Sequence, residues 1–382
     1  MAHFKPLDNS FNIETVDLEK SPVECSNATL SDSPSPAEKS FCPSSNDDFL
    51  SNFEFNDELC ARDRHSLTEC LIKNKSLFVT KDSPDIGLTH VVQHQIHLKP
   101  DAQPKHHHPY RLPPDKKQVL RHKLDELLRQ NIIAPVHESE NVPITSPIVL
   151  VSKQNKPKGK LNNLTKDQCL SYYRFCCDFR YLNSVTQEFR YNISDLQELT
   201  ESFTDKTPNF ISSIDMSKGF FQMPFSDEST KYTAFNTCYG TFKFLLLPMG
   251  LKTSPNSFQL LMDKVLRGLT FKSVLCYLDD VIICSEHLAD LQEVFNRFHS
   301  AGLKLQPSKC HFAQRRCVFL GHEISRDGIH PPSYKVELIV NYSSPTNIKE
   351  LRRIMELFNW FRKFIPNYSA IAQPILKLMK KI

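Results

Sequence analysis

Apolar positions along the chain change period several times, and each change predicts an element. Val119, Leu120, Leu124, Leu127 and Leu128 recur at helical spacing, so an amphipathic helix is expected up to about Asn131. Asp115 followed by Gln118 reads as its N-cap and capping-box partner. The same period returns in Phe258, Leu261, Met262, Val265 and Leu266, in Leu288, Leu291, Val294, Phe295 and Phe298, and in Leu351, Ile354, Met355 and Phe358. Ser254-Pro255 reads as an N-cap with proline at the first helical position, with Gly268 and Gly302 closing the first two of these helices and Asn347 opening the last. Ser194 with Gln197 predicts a further helix to about Phe203. Between the helical stretches lie short unbroken apolar runs at 148–151, 210–214, 242–247, 274–278 and 281–284, which predict buried strands.

Two of those runs flank an adjacent acidic pair in S-V-L-C-Y-L-D-D-V-I-I-C-S, residues 273–285. This is a hairpin pattern with Asp279 and Asp280 at the turn. No Asn-Gly or Asp-Gly makes that turn easy, and strain of this kind tends to gather at functional sites. An isolated acidic pair is more often just an exposed tip. A third acid changes the balance, because Asp215 ends the strand-like run 210–214. Three carboxylates at neighbouring strand ends repel one another unless a divalent cation neutralises them. Oxygen-only ligands favour Mg²⁺ or Mn²⁺, and two such ions about 3.5–4 Å apart form the clamp that polymerases use.

Charge is unevenly spread. Residues 1–85 carry 8 Lys and Arg against 16 Asp and Glu, whereas the remainder carries 39 against 27. A basic body suits a polyanionic partner. The first segment, rich in Ser, Asp, Asn and Pro, is expected to be largely disordered with one short helix around 54–73. No export signal or run of 18 apolar residues occurs, so neither secretion nor a membrane span is expected. The twelve cysteines contain no C-x-x-C, and several lie in apolar runs, which favours a reducing compartment. Cys310, His311, Cys317 and His322 fit no usual zinc spacing and read as strand core. No D-[ST]-G protease signature is present.

The acidic boxes sit in an ordered series. Y-L-D-D (277–280) and D-M-S-K-G-F (215–220) are joined by H-Q-I-H-L with P-Y-R (94–111), R-F-C-C-D-F-R-Y-L-N (174–183), L-P-M-G-L-K-T-S-P-N-S-F-Q (247–259), L-K-L-Q-P-S-K-C-H-F (303–312) and F-L-G-H-E-I-S (319–325). Over about residues 90–380 this resembles the reverse transcriptase of Gypsy-type LTR retrotransposons. The resemblance implies an α+β right-hand polymerase fold: fingers and palm over 89–325, with an antiparallel palm sheet and packed helices, and a thumb-like helical tether over 326–382. Residues 1–88 would precede it as the acidic segment, and no RNase H acids follow, as in a polyprotein segment, a truncated copy or an incomplete gene product.

It further implies RNA-directed DNA polymerase activity, a nucleotidyl transfer onto a primer 3′-hydroxyl with two Mg²⁺ ions, or Mn²⁺, held by Asp215, Asp279 and Asp280. Lys153 and Arg174 would grip the triphosphate of the incoming dNTP, Phe220 would crowd a ribose 2′-hydroxyl, and Met249 and Gly250 would line the nucleotide site. Lys309 would be general acid toward pyrophosphate. The segment 154–173 is longer than usual for the fingers hairpin, and Met249 stands where relatives often carry Phe or Gln. Template and primer, RNA or DNA, are the implied partners, with an intracellular, cytoplasmic location. A catalytically inactive or domesticated nucleic-acid-binding remnant is the alternative, and a viral RNA-dependent RNA polymerase a weaker one.

Overall fold

In a computed structural model, residues 45–80, 83–153, 165–193, 208–285 and 288–380 are described. The helix predicted from Ser194 and residues 154–164 of the long 154–173 segment lie outside them. Three sheets carry the architecture. The first joins β1 (Lys105–His106), β2 (Ile133–Pro135), β3 (Ile144–Ser152), β6 (Phe235–Thr237) and β7 (Gly240–Phe244) in the order β1-β3-β6-β7-β2, with β4 (Tyr173–Cys177) antiparallel to β3. The second is the antiparallel series β10-β5-β9-β8, formed by His311–Gln314, Phe210–Asp215, Asp280–Ser285 and Val274–Tyr277. The third is a meander of β11 (Arg316–Phe319), β12 (His322–Ser325) and β13 (Gly328–His330).

The second sheet explains why its strands read as unbroken apolar runs. Val274, Cys276, Val281, Ile283 and Ile214 face the main core, whereas Leu275, Ile282, Cys284 and Ile211 face a smaller core with Phe319 and Ile324 of the third sheet. A strand covered on both faces loses the polar alternation of a half-exposed one. The main core is closed by α7 (Ser254–Val265), which buries Phe258, Leu261, Met262 and Val265, and by α8 (Ala289–Ser300), which buries Leu291, Val294, Phe295 and Phe298.

Helix starts differ in part from the sequence pattern. The first long helix, α3 (Pro114–Arg129), begins one residue before Asp115, and Pro113 stands at its N-cap without a side-chain bond. Pro114 at the first helical position starts the helix by its fixed φ and missing N–H, so no capping box is needed. Likewise Ser254 is the first residue of α7, not its cap, which is Thr253. Asn347 does cap α10 (Ile348–Trp360), accepting from the Glu350 amide at 3.0 Å.

The largest correction concerns the acidic segment expected to be disordered through residue 88. Its described part, from residue 45, is woven into the core. Phe49 of α1 (Ser45–Leu50) and Phe53, between α1 and α2 (Ala61–Lys73), both pack on Phe78, and through Phe53 and Phe78 they join a cluster with Phe295 and Phe312 in which neighbouring ring centroids are 5.1 to 6.2 Å apart. Leu67 and Leu71 are fully buried. Polar composition hid these anchors, because the ring cluster they join is completed by Phe295 and Phe312, more than 200 residues further along the chain, and a few buried rings suffice to fix a segment. The expected helix at 54–73 is shorter, starting after Cys60, whose sulfur accepts from the Asp63 amide.

Candidate active site

Three carboxylates come together at one end of the second sheet. Asp215 closes β5 and is paired in register with Asp280, which opens β9, and Asp280 is in turn opposite Tyr277 of β8. Directly opposed residues project from the same face of a sheet, so Asp215 and Asp280 share the face turned toward the third sheet. The hairpin tip is therefore not the Asp-Asp pair itself. Its two central residues are Leu278 and Asp279, and Leu278 has φ 57°, the left-handed region that glycine usually supplies in such turns. Asp279 leans over the loop that follows Asp215. A Cβ built on Gly219 would stand 3.6 Å from that of Asp279, an ordinary contact, and 3.2 Å from the Phe258 ring, so the ring, not the tip, is what a side chain here would press on.

Electrostatics register the crowding. The Asp280 carboxyl is held above the usual carboxylate range, first by partial removal from solvent and then by the charges of Asp279 and Asp215, with Lys309 opposing. Lys309 sits in a short turn, Pro307–Lys309, and its ammonium lies 3.1 and 3.3 Å from the two oxygens of Asp215. The donor set is all hard oxygen, which fits Mg²⁺ or Mn²⁺. As they stand, no three His, Cys, Asp or Glu side chains among the described residues converge tightly enough to hold an ion.

Other sequence-marked residues fall around this cluster. The β3–β4 hairpin carries Arg174 opposite Val151, with the Lys153 amide bonded to the Tyr172 carbonyl at 2.9 Å, and both basic side chains are exposed. The long connection between the strands contains its own helix, α4 (Lys166–Tyr172), capped by a Thr165–Gln168 capping box. Phe220, in the turn Gly219–Gln222, packs on Phe258 with centroids 4.9 Å apart, while Phe221 stacks on Phe244. Both rings are half-buried, so burial does not separate them. Met249 is 63% exposed, and Gly250 has φ 103°, where an added Cβ would make only an ordinary 3.6 Å contact with the Phe179 ring. Backbone conformation, not close contact within the chain, requires glycine there.

Four polar residues hold this arrangement; three of them, His94, Asn183 and Gln259, stand inside the quoted boxes, but the sequence gives no sign of what they bond. Gln259, buried in α7, accepts from the Leu278 amide at 2.8 Å while its NH₂ reaches Asp263 and the Cys276 carbonyl. Gln222, fully buried, donates to the Ser217 and Lys304 carbonyls and accepts from the Lys304 amide, all at 2.7–2.8 Å. Asn183 of the short helix α5 (Arg180–Val185) clamps the 248–250 turn, donating to the Gly250 carbonyl at 2.8 Å and accepting from the Lys252 amide at 2.9 Å. His94 lies between the Ser257 and Thr253 hydroxyls at 2.8 and 3.2 Å, and burial, with His97 nearby, pushes it down to about 4, so the ring is neutral. Each of the four has at least one partner 17 or more residues away in the chain, and only the fold reveals that pairing.

Among the described residues no helix is long and apolar enough to cross a membrane. Residues 156–324 match the family described as reverse transcriptase (RNA-dependent DNA polymerase), a family that is generally dependent on divalent metal. The chain is 35% identical over 305 residues to the retrovirus-related Pol polyprotein from transposon 297 of Drosophila melanogaster, covering 79% of this chain and 27% of that one. It is 33% identical over 275 residues to the polyprotein from transposon opus of the same fly, covering 71% and 26%. The chain thus spans about a quarter of these relatives' length. Its fold is similar to foamy viral protease-reverse transcriptase in complex with double-stranded DNA, with a TM-score of 0.71 at 24% identity over 88% of this chain and 66% of that one. The same viral protein in complex with RNA/DNA hybrid gives a TM-score of 0.68 at 22% identity, over 88% and 42%. On these matches, and on the order of the boxes that carry its three carboxylates, residues 156–324 form a reverse transcriptase domain similar to those of retrotransposon Pol polyproteins.

Proposed function

We propose that this chain performs template-directed nucleotidyl transfer, joining a deoxynucleoside triphosphate to a primer 3′-hydroxyl. The observation that carries the reading is the register of Asp215 against Asp280 beside the Asp279 tip, which collects three acids from two distant boxes at one sheet end. Asp215 and Asp279, with Asp280 in support, would hold two Mg²⁺ or Mn²⁺ ions. When bound, such ions activate the attacking hydroxyl and neutralise charge on the leaving phosphate.

The chain's own residues supply the rest. Arg174 offers a planar fork and Lys153 a point charge to triphosphate oxygens from the exposed hairpin. Phe220, braced by Phe258, offers a ring edge against a 2′-hydroxyl, the group that separates ribonucleotide from deoxyribonucleotide. Gly250, fixed in its turn by Asn183, leaves room for base or sugar beside Met249. Lys309 donates a proton toward departing pyrophosphate. In this scheme residues 89–325 act as fingers and palm and 326–382 as thumb and tether, with the basic side chains Arg352, Arg353, Arg362 and Lys363 along duplex backbone. The partners are a template and primer of RNA or DNA together with dNTPs, which accords with the complexes named for the viral neighbours. A cytoplasmic location accords with transposon relatives.

Primer extension on poly(rA)/oligo(dT) tests the assignment. Asp279→Asn is expected to lower incorporation by about 10³-fold or more, since it removes an anionic ligand that would hold the divalent ions. Equal incorporation by both proteins overturns it.

A further inference from the structure

The contact between Lys309 and Asp215 is more than a neighbouring charge. Backbone bonds set it up: the Gln306 amide donates to the Asp215 carbonyl at 3.0 Å, and the Ser217 amide to the Lys304 carbonyl at 3.1 Å. These lock the 304–309 segment beside the end of β5, so the base of the Lys309 side chain cannot drift. The rest of the side chain is 62% exposed, and its ammonium straddles both carboxylate oxygens of Asp215. Lys309 therefore sets a cation of the chain's own on the Asp215 oxygens that an incoming dication requires, near enough for Asp280 to feel its charge. Meanwhile the acids as they stand do not converge on a common point.

Resting on the proposed polymerase reading, we infer that Lys309 is a built-in counter-ion that occupies Asp215 in the free protein and must leave it before a divalent cation can bind there. A triphosphate arriving at the same cleft offers the ammonium a more highly charged partner. Nucleotide arrival then frees Asp215, so loading of cation and of nucleotide is coupled through one mobile side chain. An exposed pair of this kind is weak enough to be exchanged, yet its charge still opposes a dication at close range.

The role predicts opposite signs for two measurements. In the full chain without nucleotide or primer, titration with Mn²⁺ read by electron paramagnetic resonance should show Lys309→Met binding about three- to ten-fold tighter than wild type, because a positive charge about 4 Å away is removed. Lys309→Arg, which keeps the charge, should bind within about two-fold of wild type. Primer extension by Lys309→Met should nevertheless fall. Lys309→Gln serves as a second neutral variant, and a thermal melt checks that each is folded. Unchanged or weaker Mn²⁺ binding by both neutral variants, with Asp215→Asn binding less, overturns the counter-ion role while leaving the two-metal reading intact. Equal Mn²⁺ binding by wild type and Asp215→Asn overturns both.

Discussion

Two hairpin tips in this molecule share one unusual feature and differ in how they are held. Each places a leucine in the left-handed region, Leu278 at φ 57° in Y-L-D-D and Leu320 at φ 49° in F-L-G-H. For a non-glycine residue this costs roughly 1–2 kcal/mol. In the second tip Gly321 follows at φ 77°, so both central residues are left-handed, as in a type I′ turn. In the first tip the second residue is Asp279, and the turn departs from that easy pattern. The Leu278 turn is instead clamped from behind by the buried amide of Gln259. The Leu320 turn is supported from the far side of the molecule: Trp360 of α10 lies 3.7 Å from where a Gly321 Cβ would stand and stacks on His322 at 5.8 Å. One tip is over-determined by the core. The other depends on a helix whose Trp360 is half-exposed and whose neighbour α9 (Ser333–Val340) buries no residue at all. On the proposed reading, precision is concentrated where reacting atoms would meet, and compliance where a duplex would lie.

The largest test of that contrast removes the amide clamp. Gln259→Leu leaves the Leu278 amide and the Cys276 carbonyl without their side-chain partner in a buried setting, so stability should fall by about 1–3 kcal/mol. A tip displaced by about 1 Å should lower turnover by about 10²-fold. Gln259→Glu, which keeps an acceptor for the Leu278 amide, should recover part of the turnover. Denaturant melts and single-turnover extension read the two quantities. A loss of stability with full turnover would mean the tip does not depend on α7.

At the other tip the expected effects are smaller and of a different kind. Trp360→Ala removes the stack on His322 and the neighbour of Gly321, but the ring is half-exposed, so stability should fall by less than about 2 kcal/mol, below the figure for a fully buried aromatic. Affinity for a labelled primer–template, by anisotropy, should weaken by about five- to ten-fold, an aromatic contact's worth of energy, with single-turnover extension at saturating duplex little changed. Trp360 is the chain's only tryptophan, so its emission in the wild type should shift as duplex binds. If Trp360→Ala instead lowers turnover at saturation as much as Gln259→Leu does, the division between a fixed tip and a compliant one is wrong.

What the sequence made legible follows the same division. Unbroken apolar runs and acids at their ends located the second sheet and its carboxylates, because a strand buried on both faces and a charge at its rim are local patterns. Helices α7, α8 and α10 were visible from their 3.6 period, and Asn347 from its capping chemistry. The clamping roles of Gln259, Gln222 and Asn183 were not, although the first and last stand in the quoted boxes, because each serves a backbone group well separated in the chain and a lone amide has no pattern that names its partner. The packing of residues 45–80 was hidden for a related reason. Phe49 and Phe53 are scattered among polar residues, and the ring cluster they join with Phe295 and Phe312 exists only after the chain has returned. The start of α3 was misplaced because Asp115 and Gln118 mimic a capping box where Pro114 alone suffices.

The smallest expected effect sharpens the comparison most finely, since it addresses the shared leucines themselves. Leu278→Gly and Leu320→Gly each relieve left-handed strain, but each gives up half-buried contacts, Leu278 with the main core and Leu320 with the smaller one. The two terms are of similar size, roughly 1–2 kcal/mol for the strain and a part of about 1.5–3 kcal/mol for the side chain, so both variants should melt within a few degrees of wild type. Function should then separate them. A glycine at 278 adds backbone freedom next to Asp279 and should lower turnover by several-fold, whereas a glycine at 320 should leave turnover intact and alter duplex affinity by about two-fold at most. A drop of more than about 2 kcal/mol at either site would show that the leucine side chain, not its backbone conformation, dominates that turn. In that event the two tips are alike in geometry for unrelated reasons.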